Sequence, residues 1–126
     1  MNSQFTKIIR IVLGIVLVLF GLNKMLPSSF IPLPDMPQDA ISFMTSLGST
    51  GYVLKVVGLL EIGIGLLLLL KKWVPFALVL LAPISINILL FHLFLDLSGI
   101  VGALLVIVLN GVLIYKNWPK FKPLFT

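Results

Sequence analysis

Four stretches of almost uninterrupted apolar residues, each close to the length that crosses a bilayer, leave this chain few ways to fold. They run from about Ile8 to Leu26, from Tyr52 to Leu70, from Trp73 to Leu95 and from Gly99 to Tyr115. At 1.5 Å rise per residue, segments of about 17–23 residues match a hydrocarbon core roughly 30 Å thick. Backbone N–H and C=O groups find no partner in lipid, so each segment should be helix rather than strand. Composition agrees: 60% of the residues are hydrophobic and only 10% charged, where a soluble domain carries about a quarter charged. The expected fold is all-α, an integral membrane four-helix bundle, up-down-up-down, forming one domain over residues 1–126. Its first partner is the lipid bilayer.

The connections set the topology. Lys71-Lys72 is so short that the second and third spans must be antiparallel neighbours, and Asp96-Leu97-Ser98-Gly99 makes a tight turn before the fourth. One face then carries Lys7, Arg10, Lys71, Lys72, Lys116, Lys120 and Lys122 with no acidic residue. The other carries Lys24, Lys55, Asp35, Asp39 and Asp96. The positive-inside rule places both termini in the cytoplasm. The first segment has the basic start of a signal peptide but no A-x-A-like cleavage site, and it reaches spanning length. It reads as a retained helix.

The longest connection, residues 27–51, begins with the proline-rich PSSFIPLPDMP, which cannot be regular helix. Met36, Ala40, Phe43, Met44 and Leu47 then recur at helical spacing, with Pro37 suited to a first turn and Gly48 to a helix end. This predicts a short amphipathic helix at the outer interface, either a lid over the bundle or a plain connector. The tail, residues 116–126, alternates basic and aromatic residues. It suits a cytoplasmic membrane anchor, with Trp118 and Phe121 at headgroup level. The net charge of +5 is thus explained by topology, and nucleic acid is not an expected partner. There is no cysteine, which excludes disulfides and thiol chemistry on this chain. No set of residues suggests a metal site.

Ionisable groups inside a span cost roughly 2.5–3.5 kcal/mol at the centre on insertion scales, so they need a reason. Glu61 lies about 13 Å below Tyr52 at 1.5 Å per residue. Gly58, Glu61 and Gly65 fall within about 60° on a helical wheel, a small-residue face that another helix can approach. Glu61 should therefore face the bundle, as a proton-relay or ligand-binding carboxylate or as a structural hydrogen-bonding group. Two partners are open. Lys24 shares a face with Gly14 and Gly21 and either snorkels to the headgroups or reaches down to Glu61. Asn87 lies about 12 Å below Leu95 by the same rise, a depth that predicts an Asn87–Glu61 hydrogen bond. His92 precedes Asp96 by four residues, a spacing that permits a His–carboxylate pair or a simple helix-end cap. Pro83 should kink the third span, with Ser85 a candidate to satisfy the freed backbone. Lys24, Glu61, Asn87 and His92, with Asn23 and Asp96 beside them, all fall in the outer half. A pocket is therefore expected there, beneath the residues 27–51.

Several motifs, taken in order, resemble one family. These are Gly21-Leu22-Asn23-Lys24, the stretch Pro32-Leu33-Pro34-Asp35-Met36-Pro37, the run Gly58-Leu59-Leu60-Glu61-Ile62-Gly63-Ile64-Gly65, and Ala82-Pro83-Ile84-Ser85-Ile86-Asn87-Ile88 followed by Phe91-His92-Leu93-Phe94-Leu95. Over nearly the whole chain the sequence is similar to the DoxX family of bacterial membrane proteins. The resemblance implies a four-helix membrane bundle and a link to redox chemistry, since related proteins include a subunit of a thiosulfate:quinone oxidoreductase. It implies quinone as the candidate cofactor, with redox subunits in or on the membrane as partners. It carries over Lys24, Glu61, Asn87 and His92 as motif positions only.

Three functions stay open at this point. One is a quinone-linked subunit of a membrane redox system. Another is a small transporter or permease subunit built as a homo-oligomer, with Glu61 as coupling carboxylate. The third is a structural membrane partner without catalysis. The sequence does not say whether the chain is an enzyme.

Overall fold

The computed structural model describes residues 4–25 and 36–126. Their order is α1 (Gln4–Met25), α2 (Gln38–Ser49), α3 (Val53–Leu70), α4 (Val74–Phe94), a 3₁₀ turn (Leu97–Gly99), α5 (Ile100–Lys116), a short α6 (Trp118–Phe121) and a closing 3₁₀ turn (Lys122–Phe125). Four helices are long and apolar enough to cross a membrane: Gln4–Met25, Val53–Leu70, Val74–Phe94 and Leu97–Lys116. They answer the four expected spans. Most of the proline-rich stretch, and the expected end of the first span at Leu26, lie outside the described residues.

Each spanning helix buries one stripe and leaves the rest of its apolar surface outward, as lipid requires. On α1 the buried stripe is Ile9, Leu13, Leu17 and the glycines between; on α3 it includes Ile64 and Leu68. On α4 it is Ala77, Leu78, Leu81 and Ser85, and on α5 Ala103, Val106, Asn110 and Leu113. These recur at steps of three and four, the spacing of one helix face. Large residues such as Leu59, Phe76, Leu90, Val101 and Val108 are exposed. Helix α1 packs most closely on α3, and α4 on α5.

The turn between α3 and α4 is tight for a specific reason. Lys71 and Trp73 both adopt left-handed backbone, with φ of 57° and 52°. The Lys72 N–H donates to the Leu67 carbonyl at 3.0 Å and the Lys71 N–H to the Leu68 carbonyl at 3.3 Å. This is the paired bonding of a Schellman cap, in which the left-handed position is usually glycine.

The expected amphipathic helix is α2. It runs one residue past Gly48, and Gly51 at φ 85° makes the turn into α3. Ala40 is fully buried, and the Phe43 ring meets that of Phe91 on α4 at 5.6 Å. Helix α2 therefore rests on the end of the bundle opposite the basic face, here termed the loop end. In the tail, Trp118 is partly exposed and stacks on Phe125 at 5.8 Å. Phe121 does not face outward as an anchor. It is buried in the main apolar core, because α6 folds back under the bundle.

Candidate functional site

The site rests on the seam between α1 and α3, where glycines bring two backbones together. A β-carbon built on Gly21 would stand 2.6 Å from the Gly58 carbonyl oxygen, and one on Gly65 would stand 2.7 Å from that of Gly14. No side chain fits at such distances, so the seam needs hydrogen at these positions. The pairing of Gly14 with Gly65 and of Gly21 with Gly58 runs antiparallel. It places the last turn of α1 beside the first half of α3.

That contact decides where Lys24 goes. Its stem starts beside Gly58, where a β-carbon would sit 3.2 Å from that of Lys24. The side chain then runs inward along α3 until its Nζ lies 2.8 Å from Oε1 of Glu61. Glu61 is completely buried, whereas the Lys24 side chain keeps 24% exposure. Lys24 thus reaches into the bundle rather than to the headgroups. The ion pair is close, yet neither carboxylate oxygen receives a well-directed hydrogen bond from the described residues. Oε2 in particular is a buried acceptor that none of these residues satisfies.

Asn87 does not join the pair. Its amide donates to the Pro83 carbonyl on its own helix at 2.9 Å, and its side chain is exposed. Rotation decides this: Asn87 stands about 200° round the helix, at 100° per residue, from buried Ser85. Ser85 likewise bonds the Ala82 carbonyl at 2.9 Å and not the freed carbonyl of Val79. Helix α4 continues through Pro83.

His92 and Asp96 meet at the loop end as a separate cluster. His92 Nδ1 donates to the Asp96 carbonyl at 3.0 Å, and its distance to the Asp96 carboxylate is 3.8 Å. Ser98 Oγ donates to Asp96 Oδ1 at 2.8 Å, and Asp96 is buried. Gly99 closes this knot, since a β-carbon there would be 2.7 Å from the imidazole Cε1. The capping reading of His92 is the one this geometry favours. Asn23 is half-buried in the last turn of α1, beside Lys24.

Two polar features were not anticipated. Asn110 on α5 is buried; its amide donates to the Leu78 carbonyl at 3.2 Å, and its oxygen accepts from Ser85 Oγ at 3.3 Å. It ties α4 to α5. Its signal was available, because an asparagine within a spanning helix usually bonds across helices. Arg10, taken only as a flanking charge, turns inward to the carbonyl oxygens of Leu68 and Leu69 and closes the end of α3. The stretch expected to cover a pocket in the outer half lies partly outside the described residues, and two cavities are found elsewhere. One lies at the basic face and the other is an apolar groove along α3; the described residues that line them do not include Lys24, Glu61, Asn87 or His92.

A family model, DoxX, matches residues 5–93. The chain belongs to the DoxX family. The matched region holds α1 to α3 and nearly all of α4, including Lys24, Glu61, Asn87 and His92; Asp96, Asn110 and the tail lie beyond it. No curated protein and no solved structure matches this DoxX protein. Family membership and the four apolar helices together make it a multi-pass membrane protein.

Proposed function

We propose that this DoxX protein is a subunit of a quinone-linked redox system in the bacterial inner membrane, with Lys24 and Glu61 as its working groups. The single observation that supports this is the buried Oε2 of Glu61, which none of the described residues satisfies, beside a lysine that still touches the surface. A membrane span does not keep such a pair without cost. A quinone supplies reversible two-electron, two-proton chemistry when bound. Lys24 is the donor suited to a carbonyl oxygen, and Glu61 Oε2 is the acceptor suited to hold a hydroxyl proton. In this reading both termini are cytoplasmic, and the pair belongs to the half of the bundle nearer the periplasm.

A second reading has its own support. The pair sits against the Gly21–Gly58 contact, so it also serves as a polar clasp that fixes the register of α1 on α3. In that case the chain is a structural partner without catalysis.

One experiment separates the two. The protein, extracted gently from its own membrane, is analysed by native mass spectrometry as wild type, Glu61→Gln and Lys24→Met. A bound mass matching a quinone, lost in a folded Glu61→Gln protein, supports the redox reading. A folded wild type that carries no quinone, with both variants losing the α1–α3 packing, supports the clasp and overturns the first reading.

A further inference from the structure

The cavity at the basic face has a chemistry of its own. It is a half-open cleft of about 770 Å³, within the roughly 300–1,000 Å³ of small-molecule sites. Three separate parts of the chain supply its charge: Lys7 and Arg10 from α1, Lys71 from the α3–α4 turn, and Lys120 from the tail. No acidic side chain is among the described residues that line it. Four cations held round one hollow repel each other, and an anion seated among them removes that cost.

Two further features point the same way. Val74 and Pro75, the first residues of α4, form part of the wall, and no side chain among the described residues caps that helix start. The positive end of a 21-residue helix therefore opens on the cavity, a feature that favours anions. Lys71 occupies the left-handed position where glycine is usual, so its charge is held at the mouth at some cost to the backbone. Arg10 gives Nη1 to two carbonyl oxygens, but a guanidinium has five N–H donors. Trp73, 72% exposed, flanks the opening as aromatic residues do at headgroup level.

We propose that this cavity binds a phosphate group, carried either by an anionic lipid headgroup or by free phosphate. Lys7, Arg10, Lys71 and Lys120 would neutralise the phosphate oxygens, and the Val74 N–H at the start of α4 would add a hydrogen bond, Pro75 having none to give. The site lies at the far end of the bundle from Glu61 and does not depend on the redox reading.

The test uses the full chain in nanodiscs, with native mass spectrometry after titration with phosphatidylglycerol, phosphatidylcholine or inorganic phosphate. Wild type should keep one phosphatidylglycerol per chain about tenfold more firmly than phosphatidylcholine. Lys7→Gln with Lys71→Gln should reduce that retention by about tenfold or more, at roughly 1 kcal/mol per basic residue near a membrane surface. Lys72→Gln with Lys122→Gln removes the same charge from the same face but not from the cavity wall, and retention should stay within about twofold. Should the first pair of substitutions impair folding, Lys120→Gln alone gives the same readout from the tail, with a loss of about fivefold. Displacement of the lipid by millimolar inorganic phosphate identifies the bare anion as sufficient; failure to displace it identifies the lipid headgroup. Equal losses in the two double variants, or no preference for the anionic lipid and no bound phosphate, would overturn the proposal.

Discussion

The ammonium of Lys24 lies 2.8 Å from the carboxylate of Glu61, although Lys24 belongs to the last turn of α1 and Glu61 to the middle of α3. The two partners are not equivalent. Lys24 can swing to the surface, whereas Glu61 is enclosed on all sides.

That asymmetry predicts an unequal response to substitution. Lys24→Met should destabilise the protein by about 1–3 kcal/mol, the range for a buried polar group left without its partner. Glu61→Gln should cost less, because the freed lysine can snorkel outward. Reversible unfolding in mixed micelles, with the double variant closing a thermodynamic cycle, measures both. Equal costs would mean that Lys24 is as confined as Glu61.

The glycine seam predicts a contrast among identical substitutions. Gly21→Ala places a methyl group 2.6 Å from a backbone oxygen and should cost about 1–3 kcal/mol as α1 is pushed off α3. Gly111→Ala meets nothing within 4 Å and should stabilise by about 0.5–1 kcal/mol through helix propensity. Thermal unfolding of the two variants side by side decides whether the contact or the residue type matters.

Asn110 holds two bonds across the α4–α5 contact while Ser85 holds one across it. Asn110→Ala should lose about 0.6–1.7 kcal/mol, the measured range for polar contacts between membrane helices. Ser85→Ala should lose less, since the Asn110–Leu78 bond survives. Hydrogen exchange of the α5 amides near Asn110 would show the ranking directly.

At the α3–α4 turn, Lys71→Gly relieves a left-handed lysine that costs roughly 1–2 kcal/mol. Part of that gain is returned as extra freedom of glycine in the unfolded chain, about 0.5–1 kcal/mol. The variant should be slightly more stable yet bind anionic lipid less well, a combination that unfolding and lipid titration on one sample would reveal.

Much of this arrangement is legible in the sequence, for physical reasons that differ by residue. Span length and apolarity mark the four helices, because the thickness of lipid leaves no other solution. Gly58, Glu61 and Gly65 declare a face, because glycine and a carboxylate stand out on an otherwise apolar helix. Asn87 misled because α4 is apolar all round: depth could be read from position, but nothing marked which side was buried. Asn110 carries no charge and so stands out less along the chain, although a neutral amide in lipid faces the same need for a partner. Position near a span end suggests headgroup level for Phe121 and no more than a flanking charge for Arg10. The chain folds back at α6, and the open carbonyls of α3 draw the guanidinium inward; neither follows from position along the chain.

The antiparallel glycine seam also bears on how the protein is made. Helix α1 leaves the ribosome first, but its glycines and Lys24 match a helix that does not yet exist. At roughly 5–20 residues per second, α3 follows only seconds later, after α2 and the rest of the loop. During that interval a lysine belongs to a spanning segment with no carboxylate to meet it. Lying in the last turn of α1, Lys24 can hold its ammonium at the headgroups until Glu61 arrives, so the inward swing and the closing of the seam come as late events of biogenesis.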